Sequence, residues 1–246
     1  MSQGRGILLA LAWITAPAAA TTWAETSIVD PVDGAPCNVA TPASMGSYVY
    51  EWPEKYDQVF FPVTAEPGIW ACASGFASVI GDAALSPAER ERAIGYLAAL
   101  SAPERQARDI DSRLRRAAAL YLLRDLDTER RALIHRILAY DFENLANQPG
   151  LARDHRQAAL RIMLDRLAVG DLPAGRHMEY LFVSAAYLRE QGDLQRSDRL
   201  LAQLQLQLQR ENAADGGQAG YAAYLAGLVP QLLRIAPGGR LAPDAD

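Results

Sequence analysis

Lysine is almost absent from this 246-residue chain: Lys55 is the only one, and every other basic side chain is arginine. Schiff-base and lysine-base chemistry is therefore confined to one position, because a guanidinium stays protonated. Histidine is scarce as well. His135, His155 and His177 each stand in a helical segment among arginines, where a lone histidine reads as a surface or interface residue. The chain has no Gly-x-Ser-x-Gly, Ser-x-x-Lys or His-Glu-x-x-His motif and no phosphate-binding glycine loop, so it carries no catalytic signature of the common hydrolases or nucleotide enzymes. A net charge of -5, with no concentrated basic face, argues against nucleic acid as a partner. No cofactor is called for, and no metal set is complete.

Long apolar runs are also missing, with one exception. Residues 1–24 read as a secretory signal peptide: Arg5 supplies the positive start, Gly6–Ala16 the apolar run, and Pro17 the break. Small residues follow, so cleavage after Ala20 or after Ala24 satisfies a signal peptidase. The run is too short to cross a bilayer comfortably, and nothing later is long enough to do so. The expected address is the periplasm or beyond, with no membrane span once the signal is removed.

Two cysteines, Cys37 and Cys72, lie in the N-terminal part. In an oxidising compartment a lone pair reads as a disulfide, and closing that loop stabilises by roughly 4 kcal/mol in the chain-entropy model. The alternative is a reactive or metal-binding pair, but two thiolates do not complete a tetrahedral zinc site.

The mature chain divides by composition. Residues 25–85 hold six prolines, eight aromatics and eight acids against Lys55. They read as an irregular module with short strands at Ser47–Trp52, at Gln58–Thr64 and near Gly68–Cys72. Residues 86–236 read as helix, with segments near 87–100, 103–125, 128–146, 151–168, 176–191, 194–211 and 218–235. Ser86-Pro87-Ala88-Glu89 and Ser101-Ala102-Pro103-Glu104 are capping boxes, and Asp127 and Asp193 are further N-caps. The arginine runs from Arg105 and from Arg124 are interleaved with acids, the pattern of an ion-paired helix. Residues 237–246 read as a disordered tail. The fold class is mainly α, a small irregular or β N-terminal module followed by an array of helical hairpins.

Residues Ala185–Leu201 resemble a tetratricopeptide repeat. Tyr187 precedes the turn, Gly192 makes it, Ser197 permits close helix approach and Leu201 fills the interface. Residues 118–127 echo the pattern without the glycine. The N-terminal module is also similar to a bacterial family of unknown function that pairs a zinc ribbon with tetratricopeptide-like helices. Each cysteine knuckle of that family retains one cysteine here, which implies a Cys37–Cys72 bridge in place of zinc. The resemblance brings no activity with it.

Glu51, Glu54 and Asp57 bracket Trp52 and Tyr56. Carboxylates beside aromatics are the material of glycan-cleaving sites and equally of a solvated acidic loop. Three functions follow. The foremost is an envelope interaction or scaffold module that binds a protein or peptide in the groove of its stacked helices. The second is a hydrolase of envelope glycans using those acids, and the third a purely structural role. Oligomeric state is not legible.

Overall fold

The computed structural model describes residues 21–45, 51–213 and 217–238. The expected signal segment up to Ala20 and most of the expected tail lie outside them. Among the described residues are four strands, β1 (Thr21–Val29), β2 (Pro36–Met45), β3 (Ile69–Ala71) and β4 (Ala77–Val79), and nine helices. The helices are α1 (Trp52–Asp57), α2 (Pro87–Ala99), α3 (Ala102–Gln106), α4 (Ile110–Leu122), α5 (Thr128–Asn144), α6 (Pro149–Val169), α7 (Ala174–Glu190), α8 (Leu194–Ala213) and α9 (Ala219–Leu232). The fold is mainly α with a small β N-terminal part. No helix among the described residues is long and apolar enough to cross a membrane.

The sheets are antiparallel pairs, β1 with β2 and β3 with β4. Cross-strand hydroxyl pairs, Thr22 with Ser44 and Thr26 with Thr41, tie the first hairpin. It is anchored on β3 twice. The Trp70 indole donates to the Ala40 carbonyl at 2.8 Å, and the Cys37–Cys72 disulfide closes with its Cα atoms 5.3 Å apart. The expected third strand is β3. The other two expected strands are corrected. Residues 46–50 lie outside the described residues, and Glu51–Trp52 open helix α1 instead. Glu51 and Glu54 form a capping box, with Pro53 in the first turn, so helix-start chemistry overrides the β preference of the aromatics. Residues 58–64 turn rather than extend: Gln58 closes α1 at φ +48°, and the Phe61–Pro62 peptide is cis.

The helical expectations hold, with one split. The segment 103–125 breaks into α3 and α4 because Asp109 caps a fresh start, accepting from the Ser112 amide. The α4 arginines do more than pair with acids. Arg113 donates to the Ile69 carbonyl, and the buried Arg116 to those of Gly75, Glu104 and Ala107. Arg108, just before α4, donates to those of Ala71 and Cys72. These guanidiniums satisfy backbone acceptors on β3, on the turn that follows it and at the end of α3.

Apolar packing is continuous across residue 85. Val59, Ile69, Ala77 and Val79 share one apolar cluster with Leu114, Tyr121, Ile134 and Phe142. Beyond it, α5 packs on α6, α7 on α8, and α8 on α9. At the α7–α8 turn Gly192 adopts φ +84°, a left-handed conformation open to glycine at little cost. The Ser197 hydroxyl, fully buried, donates to the Ala185 carbonyl, and Leu201 is buried in the seam.

Candidate functional site

Helix α1 lies against the alternate helices α5, α7 and α9. Tyr56 donates to the Gln231 carbonyl, the Tyr221 hydroxyl meets the Gln58 amide, and Arg136 donates to the Gln58 carbonyl at 2.8 Å. The chain's own residues 52–58 thus occupy this face of the helix layer.

This docking buries two of the three acids singled out by sequence. Glu54 and Asp57 have no exposed surface, whereas Glu51 is exposed. Glu54 accepts from the Glu51 amide as part of the α1 cap. Asp57 takes Arg156 of α6 on both oxygens at 3.3 Å and the Tyr187 hydroxyl of α7. Arg156 also reaches Glu143 of α5 at 2.5 Å. Burial pulls the Arg156 guanidinium down, but the charge of Asp57 and its other neighbours hold it above the usual arginine value. Burial and then Asp57 push Tyr187 far up, so both stay protonated at any physiological pH. Asp141, fully buried, has no hydrogen-bond partner for either carboxyl oxygen among the described residues. Burial first, and the charge of Asp57 second, raise its pKa well above the ordinary value. These groups lock four helices together. The arrangement is neither a solvated loop nor two carboxylates facing across a cleft.

One residue before each of the two core arginines stands a histidine. His135 on α5 and His155 on α6 converge, their Nδ1 atoms 2.9 Å apart. One ring donates and the other accepts, so a single proton serves both atoms. Phe142 stacks on His155 at 5.4 Å with the ring planes 9° apart. Burial lowers the His135 pKa, with Arg131 and Arg161 adding to it. Burial, then His135, lowers that of His155 to about 4 against the pull of Asp154. Both imidazoles are therefore neutral at pH 7. His177 does not join them.

The pair forms one wall of a cleft of about 330 Å³ between α4, α5 and α6. Ala118, Leu122, Leu126, Ile134 and Leu138 supply apolar walls, and Tyr121, Arg124 and Arg131 complete the lining. Leu122 is 75% exposed at this cleft. Tyr121 and Arg124 are engaged internally with Asp82. The described residues contain no group of three or more His, Cys, Asp or Glu that could hold a metal. Sequence reasoning missed the cleft because its two histidines come from different helices, and no spacing encodes their meeting.

Of the residues singled out for the repeat resemblance, Tyr187, Ser197 and Leu201 are buried and Gly192 is exposed at the turn; Tyr187 is also the donor to Asp57. No protein-family model matches the chain, and searches of curated proteins and of solved structures found no match.

Proposed function

We propose that this protein is an exported interaction module of the bacterial cell envelope, acting by binding rather than catalysis. Its contact site is the His135–His155 cleft, not the inner face of a tetratricopeptide-like array. The observation that carries this reading is the cleft itself, with apolar walls beside a largely exposed leucine. Binding sites are typically concave and lined mainly by apolar side chains with a few placed polar groups. The buried placement of Glu54 and Asp57 gives the glycan-hydrolase reading no support.

Export is supported by the Cys37–Cys72 bridge, since disulfides persist in oxidising compartments. Cleavage after Ala20 leaves β1 whole, whereas cleavage after Ala24 removes Thr22 and Trp23, which pair with Ser44 and Pro42. The mature protein then starts at Thr21.

The test is a photo-crosslinking residue placed at Leu122 and, as a control, at Val169, which is 64% exposed away from the cleft. In cells exporting the chain, a discrete adduct at position 122 that is absent at 169 is the expected result. Equal labelling at both positions, or none at either, refutes the cleft as contact site.

A further inference from the structure

The charges around the cleft are unequal. Arg131 on α5 donates only to the Leu126 carbonyl, and neither it nor Arg161 on α6 forms an ion pair among the described residues. Arg124 is neutralised by Asp82, and the Tyr121 phenol, hydrogen-bonded to Asp82, is held protonated, chiefly by burial. Among the described residues, the Asp154 carboxylate pulls the His155 pKa upward. Arg131 lines the pocket, and its charge and that of Arg161 both act on His135, so a positive field meets the apolar walls. A hydrogen-bonded imidazole pair that shares one proton lines its wall.

We propose that the cleft binds a molecule with an apolar body and a single carboxylate head. The body lies on Leu126, Ile134 and Leu138, and the head is held by Arg131 and the His135–His155 pair. This rests on the cleft being the contact site and names the chemistry it selects. A cleft of about 330 Å³ has room for roughly ten non-hydrogen atoms, taking the ~30 Å³ share of one water as the unit. That is the size of a medium-chain fatty acid or of one apolar residue at the end of a protein chain. A cation is disfavoured by the guanidiniums. A metal lacks a third protein donor among the described residues.

The imidazoles give the site a second signature. With an anion beside them, one further proton on the neutral pair, making one ring an imidazolium, becomes favourable, so the bound complex takes up a proton that the free protein does not hold. A ligand that raises the histidine pKa must bind more tightly as the pH falls toward it. The groups facing the pair are the guanidiniums of Arg131, Arg161 and Arg124, the Asp154 carboxylate and the Tyr121 phenol, which burial holds protonated; imidazole is the side-chain type that changes charge between pH 5 and 8, so the change belongs to the pair.

The experiment is calorimetric titration of the full oxidised chain with octanoate and with N-acetyl-leucine, each beside its uncharged amide, at pH 7.5 and pH 6. Each carboxylate that binds is expected to exceed its amide by roughly tenfold or more, the worth of a charged hydrogen bond. Arg131→Gln, a change on the exposed surface, removes most of that margin. Heats in buffers of different ionisation enthalpy report proton uptake, which His155→Phe abolishes. Tighter octanoate identifies a free acid as the natural ligand, and tighter N-acetyl-leucine a chain terminus. The proposal is overturned if the amides bind as well as the acids, if Arg131→Gln changes nothing, or if affinity weakens at pH 6. Failure of both carboxylates while the Leu122 adduct persists overturns this ligand class and leaves the contact site standing.

Discussion

Arg156→Met removes the guanidinium that Asp57 and Glu143 share. Methionine retains much of the aliphatic stem, so little packing is lost, and the perturbation is electrostatic. Arg156 is 1% exposed and Asp57 fully buried. Deleting one partner of such a pair leaves an uncompensated charge in a medium that cannot solvate it, at a cost of about 3–5 kcal/mol. A domain's total stability is about 5–15 kcal/mol, and each kcal/mol shifts Tm by about 2–4 °C at this size. The expected fall is roughly 6–20 °C. Thermal unfolding followed by circular dichroism, with the disulfide intact, measures it. Repetition at pH 4 tests the cause. Protonation relieves an orphaned buried carboxylate, so an electrostatic deficit shrinks in acid, whereas a packing deficit does not. Arg153→Met, one turn away on the exposed side of α6, is the control and stays within about 0.5 kcal/mol. A loss under about 1 kcal/mol at pH 7, or an equal loss at both pH values, refutes the reasoning.

Three further outcomes follow from the same structure. Asp141→Asn flattens the pH dependence of stability: the folded-state pKa of Asp141 is raised, so its contribution is complete in acid and is lost as pH rises. The variant therefore gains on the parent between about pH 4 and pH 7 in urea midpoints. Replacing Cys37 and Cys72 together with Ala opens a loop of sequence separation 35 and lowers unfolding free energy by roughly 4 kcal/mol, read by denaturant titration against the reduced parent as control. Gly192→Ala forces a side chain into φ +84° while its Cβ meets Pro237 only at ordinary contact distance. The cost is backbone strain of about 1–2 kcal/mol, and a loss above 4 kcal/mol refutes the assignment of strain alone.

The helices were legible because their information is local. Ser86, Ser101, Asp109 and Asp127 each accept from an amide three residues on, and such caps are visible in any window of four residues. Even the missed break before α4 was written at Asp109. The β1–β2 hairpin was not legible. Its first four residues read as leader, and Pro36–Met45, with two prolines and two alanines, shows no clean apolar alternation. The N-terminal acids were misjudged for a different reason. What makes Asp57 structural is Arg156, 99 positions away, and no local pattern carries that pairing. His135 and His155, 20 residues apart on separate helices, pose the same problem. Side chains that meet across a helix seam leave no period in the sequence.

The docking of α1 decides where a partner can bind. A peptide competing for the face between α5, α7 and α9 must first expel residues 52–58. That exposes the fully buried Tyr56, a loss of about 1.5–3 kcal/mol in hydrophobic burial, and separates Asp57 from Arg156, at about 3–5 kcal/mol when only one charge stays buried. Together these consume about 5–8 kcal/mol, from over half to nearly all of the ~8.2 kcal/mol that corresponds to micromolar affinity. The α4–α6 cleft requires no such displacement, because its imidazoles, apolar walls and exposed Leu122 are already in place. In the proposed function, helices α5, α7 and α9, whose shared face is filled by residues 52–58, serve as a rigid support for the cleft between α4, α5 and α6. His135 with Arg136, and His155 with Arg156, are the consecutive residues at which α5 and α6 divide those two tasks.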